Sequence, residues 1–121
     1  RHINNLSQEV WTMSHYFTDN SELAQNRKEI SFRFLNTIYT FTTDNGVFCK
    51  DEVDFGTYVL LKALSKEKIG KRVLDLGCGY GPIGIITKCM NPDSSVVMVD
   101  VNPRAVELSK LNCKKNRTEN L

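Results

Sequence analysis

Between positions 75 and 100 the chain sets out the residue types that a ligand site needs: Asp75, Gly77, Gly79, Gly81, Gly84 and Asp100. Gly77, Gly79 and Gly81 permit positive φ and have no Cβ to hold a ligand away from the main chain. Pro82 suits the first turn of a helix, where a missing N–H costs nothing. Free amides and the positive end of that helix then point back at the turn. The stretch from Arg72 to Gly84 reads as a short buried strand, a glycine turn and a helix start, with a nucleotide-like ligand lying against bare backbone.

The glycines alone leave the ligand open. Gly79, Gly81 and Gly84 fit the G-x-G-x-x-G fingerprint of dinucleotide sites, and Asp100 follows Gly79 by 21 residues, where an acid for a ribose is expected. An NAD-type dinucleotide is one reading. Asp75, two residues before the first glycine, favours another, because its carboxylate would repel a pyrophosphate and attract a cation. S-Adenosyl-L-methionine combines a ribose, a charged amine and a sulfonium, and meets both demands. A plainer alternative makes Asp75 and Asp100 mere caps of the helices that follow them.

These residues need strands and helices to position them. Val73, Leu74 and Leu76 form an apolar run of strand length, and Val96-Val97-Met98-Val99 reads as a strand buried on both faces of a parallel sheet. Between them, Ile83, Ile85, Ile86, Cys89 and Met90 make a helix apolar over much of its surface, ended by Asn91-Pro92-Asp93. Asn102 can cap a second helix with Pro103 in its first turn and Ala105, Leu108 and Leu111 turned inward. Strand, helix, strand, helix implies right-handed crossovers in a doubly wound sheet, with the site at the carboxyl ends of its strands.

Upstream the period changes. Glu29 to Phe34 and Tyr39 to Thr43 alternate polar and apolar about a turn near Asn36, which predicts an antiparallel hairpin. Asp44-Asn45-Gly46 is a turn signal, Val47-Phe48 a further short extended piece, and Lys50-Asp51-Glu52 a polar bend. A helix then runs to about Leu64 with Leu60, Leu61 and Leu64 on one face, capped by Asp54 or Thr57. Ser65 to Lys71 is a charged connector. Residues 1–13 show no clean period and read as an uninformative extension, and Thr18 to Lys28 reads as loop or irregular helix.

Composition sets the outer bounds. A chain of 121 residues, 40% hydrophobic and 25% charged, makes one soluble globular domain with a modest core. The net charge of +2 divides unevenly, with 5 basic and 8 acidic side chains in residues 1–60 and 11 and 6 in residues 61–121. That bias is too weak to imply nucleic-acid binding alone. There is no run of 18 apolar residues and no signal-like start, so a cytoplasmic protein without a membrane anchor is expected. Cys49, Cys78, Cys89 and Cys113 are spaced by 29, 11 and 24 residues, which offers no metal-binding pattern and points to free thiols. Cys78, inside the glycine turn, reads as a small residue tolerated there, with a reactive thiol at an amide-rich helix start as the sharper alternative.

Asp75-Leu76-Gly77-Cys78-Gly79-Tyr80-Gly81 resembles the first motif of the class I S-adenosylmethionine-dependent methyltransferases, and Val99-Asp100-Val101-Asn102 resembles their second. The resemblance implies cofactor contacts from Asp75, Gly77, Cys78, Gly79, Gly81, Asp100, Val101 and Asn102. Asp75 would meet the methionine amine, Asp100 the ribose hydroxyls, and Val101 the adenine. Three further blocks, His15-Tyr16-Phe17, Thr43-Asp44-Asn45-Gly46-Val47-Phe48 and Val53-Asp54-Phe55-Gly56-Thr57, resemble the small-subunit ribosomal RNA guanine-N2 methyltransferases. They add Phe48, Asp54 and Thr57 as candidate site residues, each with a packing or capping role as the alternative.

That resemblance, spanning Ser14 to about Asn116, implies an α/β fold: the N-terminal part of a Rossmann-like class I methyltransferase, preceded by a small β-hairpin cap, its sheet incomplete. Residues 14–121 would form one truncated domain, with the cap at 14–54 and a helix plus the first two βα units at 55–121. The implied partner is ribosomal RNA or the small ribosomal subunit, and the implied reaction is methylation of a guanine N2. The same fold acting on a protein amide or a small molecule is the alternative. The family's Asn-Pro-Pro-aromatic motif does not occur in the sequence, so no catalytic residue is assigned and the chain reads as an inactive cofactor-binding fragment. With much of its sheet missing, such a piece is expected to self-associate.

Overall fold

The computed structural model describes residues 10–12, 26–44 and 52–117. Two small sheets organise it. In the first, β2 (Lys28–Phe34) and β3 (Thr37–Thr43) pair antiparallel, from Lys28 opposite Thr43 to Phe34 opposite Thr37. Leu35 and Asn36 close the hairpin at φ of 47° and 67°. Positive φ at both loop residues matches the right-handed twist of the strands, and Asn tolerates it better than Leu does. The predicted alternation holds, with Ile30, Phe34, Tyr39 and Phe41 buried on one face. Aromatic contacts dock that face on its neighbours. Phe41 meets Tyr80 with centroids 5.6 Å apart, and Phe32 and Phe34 make T-shaped contacts with Tyr58 at 6.4 and 6.2 Å.

Tyr58 belongs to α1 (Phe55–Leu64), which Asp54 caps as expected. Its inward face differs from the expected one. Leu61 is fully buried and Leu64 half-buried, but Leu60 is 44% exposed. Residues one apart on a helix diverge by about 100°, so α1 cannot turn both Leu60 and Leu61 squarely inward.

The second sheet is parallel, in the order β1 (Val10–Thr12), β5 (Ser95–Asp100), β4 (Arg72–Leu76). β4 and β5 run in register from Arg72 beside Ser95 to Leu76 beside Val99. They are joined by α2 (Pro82–Met90), and α3 (Pro103–Lys115) follows β5, as the βα pattern predicts. Val10–Thr12 lies in the stretch that shows no period, since three residues are too few to display one; it pairs Val10 with Met98 and Thr12 with Asp100. Beneath the sheet, Ile85, Ile86, Met98 and Leu108 are fully buried, and Lys88 donates from Nζ to the carbonyls of Pro92 and Ser94, closing the loop into β5.

The expectation of strands buried on both faces is corrected. Asp75, Val96 and Met98 are buried, but the alternate residues Leu74 and Leu76 are 61% and 67% exposed and Val97 and Val99 half-buried. Successive side chains on a strand point to opposite faces, and among the described residues only one face is covered. β4 also forms one edge of this sheet.

Candidate functional site

β4 and β5 end side by side, and the glycine turn leaves β4 across the end of β5. The N–H groups of Gly77 and Cys78 both donate to the Val99 carbonyl, at 2.8 and 2.9 Å, and Gly81 N–H closes the turn on the Cys78 carbonyl at 3.0 Å. Such a path requires φ of +75°, +60° and +105° at Gly77, Gly79 and Gly81. The glycines divide into two kinds. A Cβ on Gly77 or Gly79 would project into open space, whereas one on Gly81 would meet the side chains of Ile85 and Ser109 at 2.9 and 3.2 Å. Gly84 lets α2 press on the sheet, because a Cβ there would lie 2.7 Å from Met98 Cγ and 3.0 Å from Asp75 Oδ2.

Asp100 ends β5 and binds the turn directly. Its Oδ2 accepts the Gly79 N–H at 2.8 Å and its Oδ1 the Asn102 N–H at 2.8 Å, so one carboxylate holds together the two loops that follow the two strands. Asp75 is buried and accepts the Gly84 N–H at 3.0 Å. Burial pushes its carboxyl up to about 6; the Gly84 N–H opposes that rise and the nearby Asp100 charge adds to it. Two acids and three positive-φ glycines are thus brought to one place. The capping alternative is satisfied in the same geometry for Asp75, whose partner is an amide of the α2 first turn.

The remaining expected residues do not share one environment. Val101 stands 38% exposed beside Asp100, an apolar surface at the rim of the site. Asn102 caps α3, its side-chain oxygen accepting the Arg104 N–H at 3.0 Å. Cys78 turns its thiol inward, 3.5 Å from Ser109 Oγ, and burial pushes it up to about 12, which removes the reactive-thiolate alternative. Cys78 can therefore face a ligand only through its backbone. Asp54 and Thr57 engage each other at the start of α1: Thr57 Oγ1 donates to Asp54 Oδ1 at 2.6 Å and Thr57 N–H to Oδ2 at 3.2 Å. Phe48 and His15-Tyr16-Phe17 lie outside the described residues.

Several buried polar residues have roles that the sequence expectations do not assign to them. Arg104 and Asp44 form a buried pair at 3.8 Å that ties the end of β3 to the first turn of α3. Ser109 Oγ donates to the Gly79 carbonyl at 2.8 Å, and Asn112 Nδ2 donates to the Tyr80 carbonyl at 2.8 Å. Their signal is a polar residue at an inward phase of α3, where Ala105 and Leu108 mark the buried face. Two clefts, of about 430 and 330 Å³, lie away from the turn, beside Tyr39 and Cys89 and beside Lys71 and Asn91. Among the described residues no group of three His, Cys, Asp or Glu could hold a metal ion, and no helix is long and apolar enough to cross a membrane.

A parallel βα sheet in which β4 feeds a glycine turn, with acids at the ends of the neighbouring strands β4 and β5, defines a cofactor-binding α/β unit. The family model described as Methyltransferase small domain matches residues 38–121, and the chain belongs to that family. A Bacillus subtilis (strain 168) protein, the uncharacterized protein YbxB, is 42% identical over 107 residues, 88% of this chain and 53% of its own length. The chain thus spans about half the length of the curated relative it matches. Among solved structures, the 16S rRNA N2 methyltransferase RsmC of T. thermophilus, in complex with AdoMet and guanosine, matches with a TM-score of 0.69 at 31% identity. That match covers 78% of this chain and 26% of RsmC. The expected hairpin-plus-parallel-sheet methyltransferase fold agrees with this neighbour.

Proposed function

We propose that the chain binds S-adenosylmethionine and serves an RNA methyltransferase that modifies the exocyclic N2 of a guanine in small-subunit ribosomal RNA. The observation that carries the cofactor assignment is the glycine turn itself: open space over Gly77 and Gly79, with the Asp100 carboxylate fixed to the Gly79 N–H beside it. The residues fit the group. Gly77 and Gly79 give close approach to backbone, Asp100 offers acceptors for ribose hydroxyls, Val101 an apolar face for adenine, and Asp75 a counter-charge for the methionine amine. When bound, the cofactor supplies an electrophilic methyl group on a sulfonium. Within this chain the protein orients and neutralises that ligand; the Asn-Pro-Pro-aromatic motif that would aim acceptors at the guanine amino group does not occur in the sequence.

The RNA target rests on the likeness to RsmC, whose complex holds guanosine. Soluble, cytoplasmic work on ribosomal RNA accords with it, and an acceptor on a protein amide or small molecule is the other reading. Calorimetric titration of the full-length protein with S-adenosylhomocysteine and with NAD tests the cofactor. Micromolar binding of the former and none of the latter is the expected result; NAD binding that Asp75→Ala strengthens would overturn it. Methyl transfer to 16S ribosomal RNA, measured against protein and nucleoside acceptors, tests the target.

A further inference from the structure

α3 carries an amide ladder that the cofactor assignment does not use. Among the described residues β3 pairs with a strand, β2, along one edge only. Along its other edge, Asn112 accepts the Thr42 N–H on Oδ1 at 2.7 Å and donates from Nδ2 to the Thr42 carbonyl at 3.0 Å. One turn later Asn116 repeats the pattern at Thr40, accepting the N–H at 3.2 Å and donating to the carbonyl at 2.9 Å. The spacings agree for a physical reason. Four helical residues rise about 6 Å and two strand residues about 6.7 Å, so amides four apart on α3 meet alternate residues of an antiparallel β3. The two side chains do for this edge what a third strand would do.

Beyond β3 the two amides part: Asn116 Nδ2 donates back along α3 to the Asn112 carbonyl at 2.9 Å, whereas Asn112 Nδ2 donates to the Tyr80 carbonyl at 2.8 Å, and one turn earlier Ser109 Oγ holds the Gly79 carbonyl at 2.8 Å. Both side chains are fully buried. In a trans peptide the carbonyl and the following N–H point in opposite directions. Holding the Gly79 and Tyr80 carbonyls toward α3 therefore fixes where the Tyr80 and Gly81 N–H groups point, and with them the conformation of the turn. We propose that Asn112, together with Ser109, is a positioning residue of the cofactor turn, and that Asn112 couples the hairpin to it. The ligand's identity rests on the function proposed above; the positioning role does not.

Amide hydrogen exchange of the ligand-free, full-length protein separates this role from a structural one. Asn112→Ala and Ser109→Ala are expected to speed exchange across Gly77–Gly81 about tenfold, the loss of roughly one buried hydrogen bond's worth of protection. Asn116→Ala breaks the same kind of bonds to β3 without touching the turn, and is expected to change exchange there less than twofold. Equal acceleration in all three variants, or in none, overturns the proposal. Should Asn112→Ala fail to fold, Ser109→Ala against Asn116→Ala decides it. Titration of the same variants with S-adenosylhomocysteine should show about tenfold weaker binding for the first two only. Wild-type protein that binds no S-adenosylhomocysteine would sink the assigned ligand while leaving the exchange result to judge the positioning.

Discussion

Asp75 is the residue whose ionisation the fold disturbs and a cationic ligand would restore. Its carboxyl, raised by burial from 3.8 to about 6, is easier to protonate in the folded chain than in the unfolded one. The sign follows: this group favours folding most below pH 4, and its contribution is lost as pH rises through 6. Keeping it ionised at pH 7 costs about 3 kcal/mol. A bound ammonium group offsets that cost by favouring the carboxylate, so ligand binding between pH 5 and 6 must expel a proton. Affinity for S-adenosylhomocysteine is therefore expected to be roughly tenfold tighter at pH 7.5 than at pH 5 and flat above pH 7. Asp75→Asn should bind more weakly and lose most of that slope, and calorimetry at the two pH values reads both.

At the scale of elements, the caps and seams determine where the site stands. Asp54 serves the start of α1, and the Thr57 hydroxyl it accepts holds its carboxyl below the usual carboxylate range. Asp54→Ala removes the acceptor for both the Thr57 hydroxyl and the Thr57 N–H, and is expected to lower stability by about 1 kcal/mol, read as a shift in the denaturant midpoint at constant slope. Cofactor affinity of the same variant decides the ligand role expected for Asp54 and Thr57. α1 also anchors the hairpin through Tyr58, while the glycine turn reaches the hairpin through Tyr80 and Asn112. Hairpin and cofactor turn are thereby parts of one packed unit.

For the whole molecule, the uncovered sheet face matters most. Leu74 and Leu76 are 61% and 67% exposed, and Phe55, Val59 and Leu60 add 78%, 47% and 44% on α1. Exposed apolar area of that kind promotes association, and among the described residues β4 is an edge strand, which favours it further. The 121-residue chain by itself is expected to self-associate. Sedimentation velocity should show this, and Leu74→Ser with Leu76→Ser should reduce it. A monomer with a single cooperative melt would contradict the expectation.

What could be known without coordinates was local. The glycine turn, Pro82 and Asn102 at helix starts, the Glu29–Phe34 alternation and the acids at the ends of β4 and β5 are short-range patterns, written in neighbouring residues because backbone torsion and strand periodicity are local physics. Leu60 and Leu74 show where such patterns stop: their types state that they are apolar, and only the arrangement of neighbouring elements decides which apolar residues are covered. Asn112 shows the same limit for polar groups. Nothing near it in the chain announces Thr42, 70 residues away, or Tyr80, 32 away, because a buried amide's partners are chosen by the packing of α3 on β3 and the turn. Close approach of the Asp75 and Asp100 charges was likewise a tertiary outcome, set by the parallel register of β4 and β5.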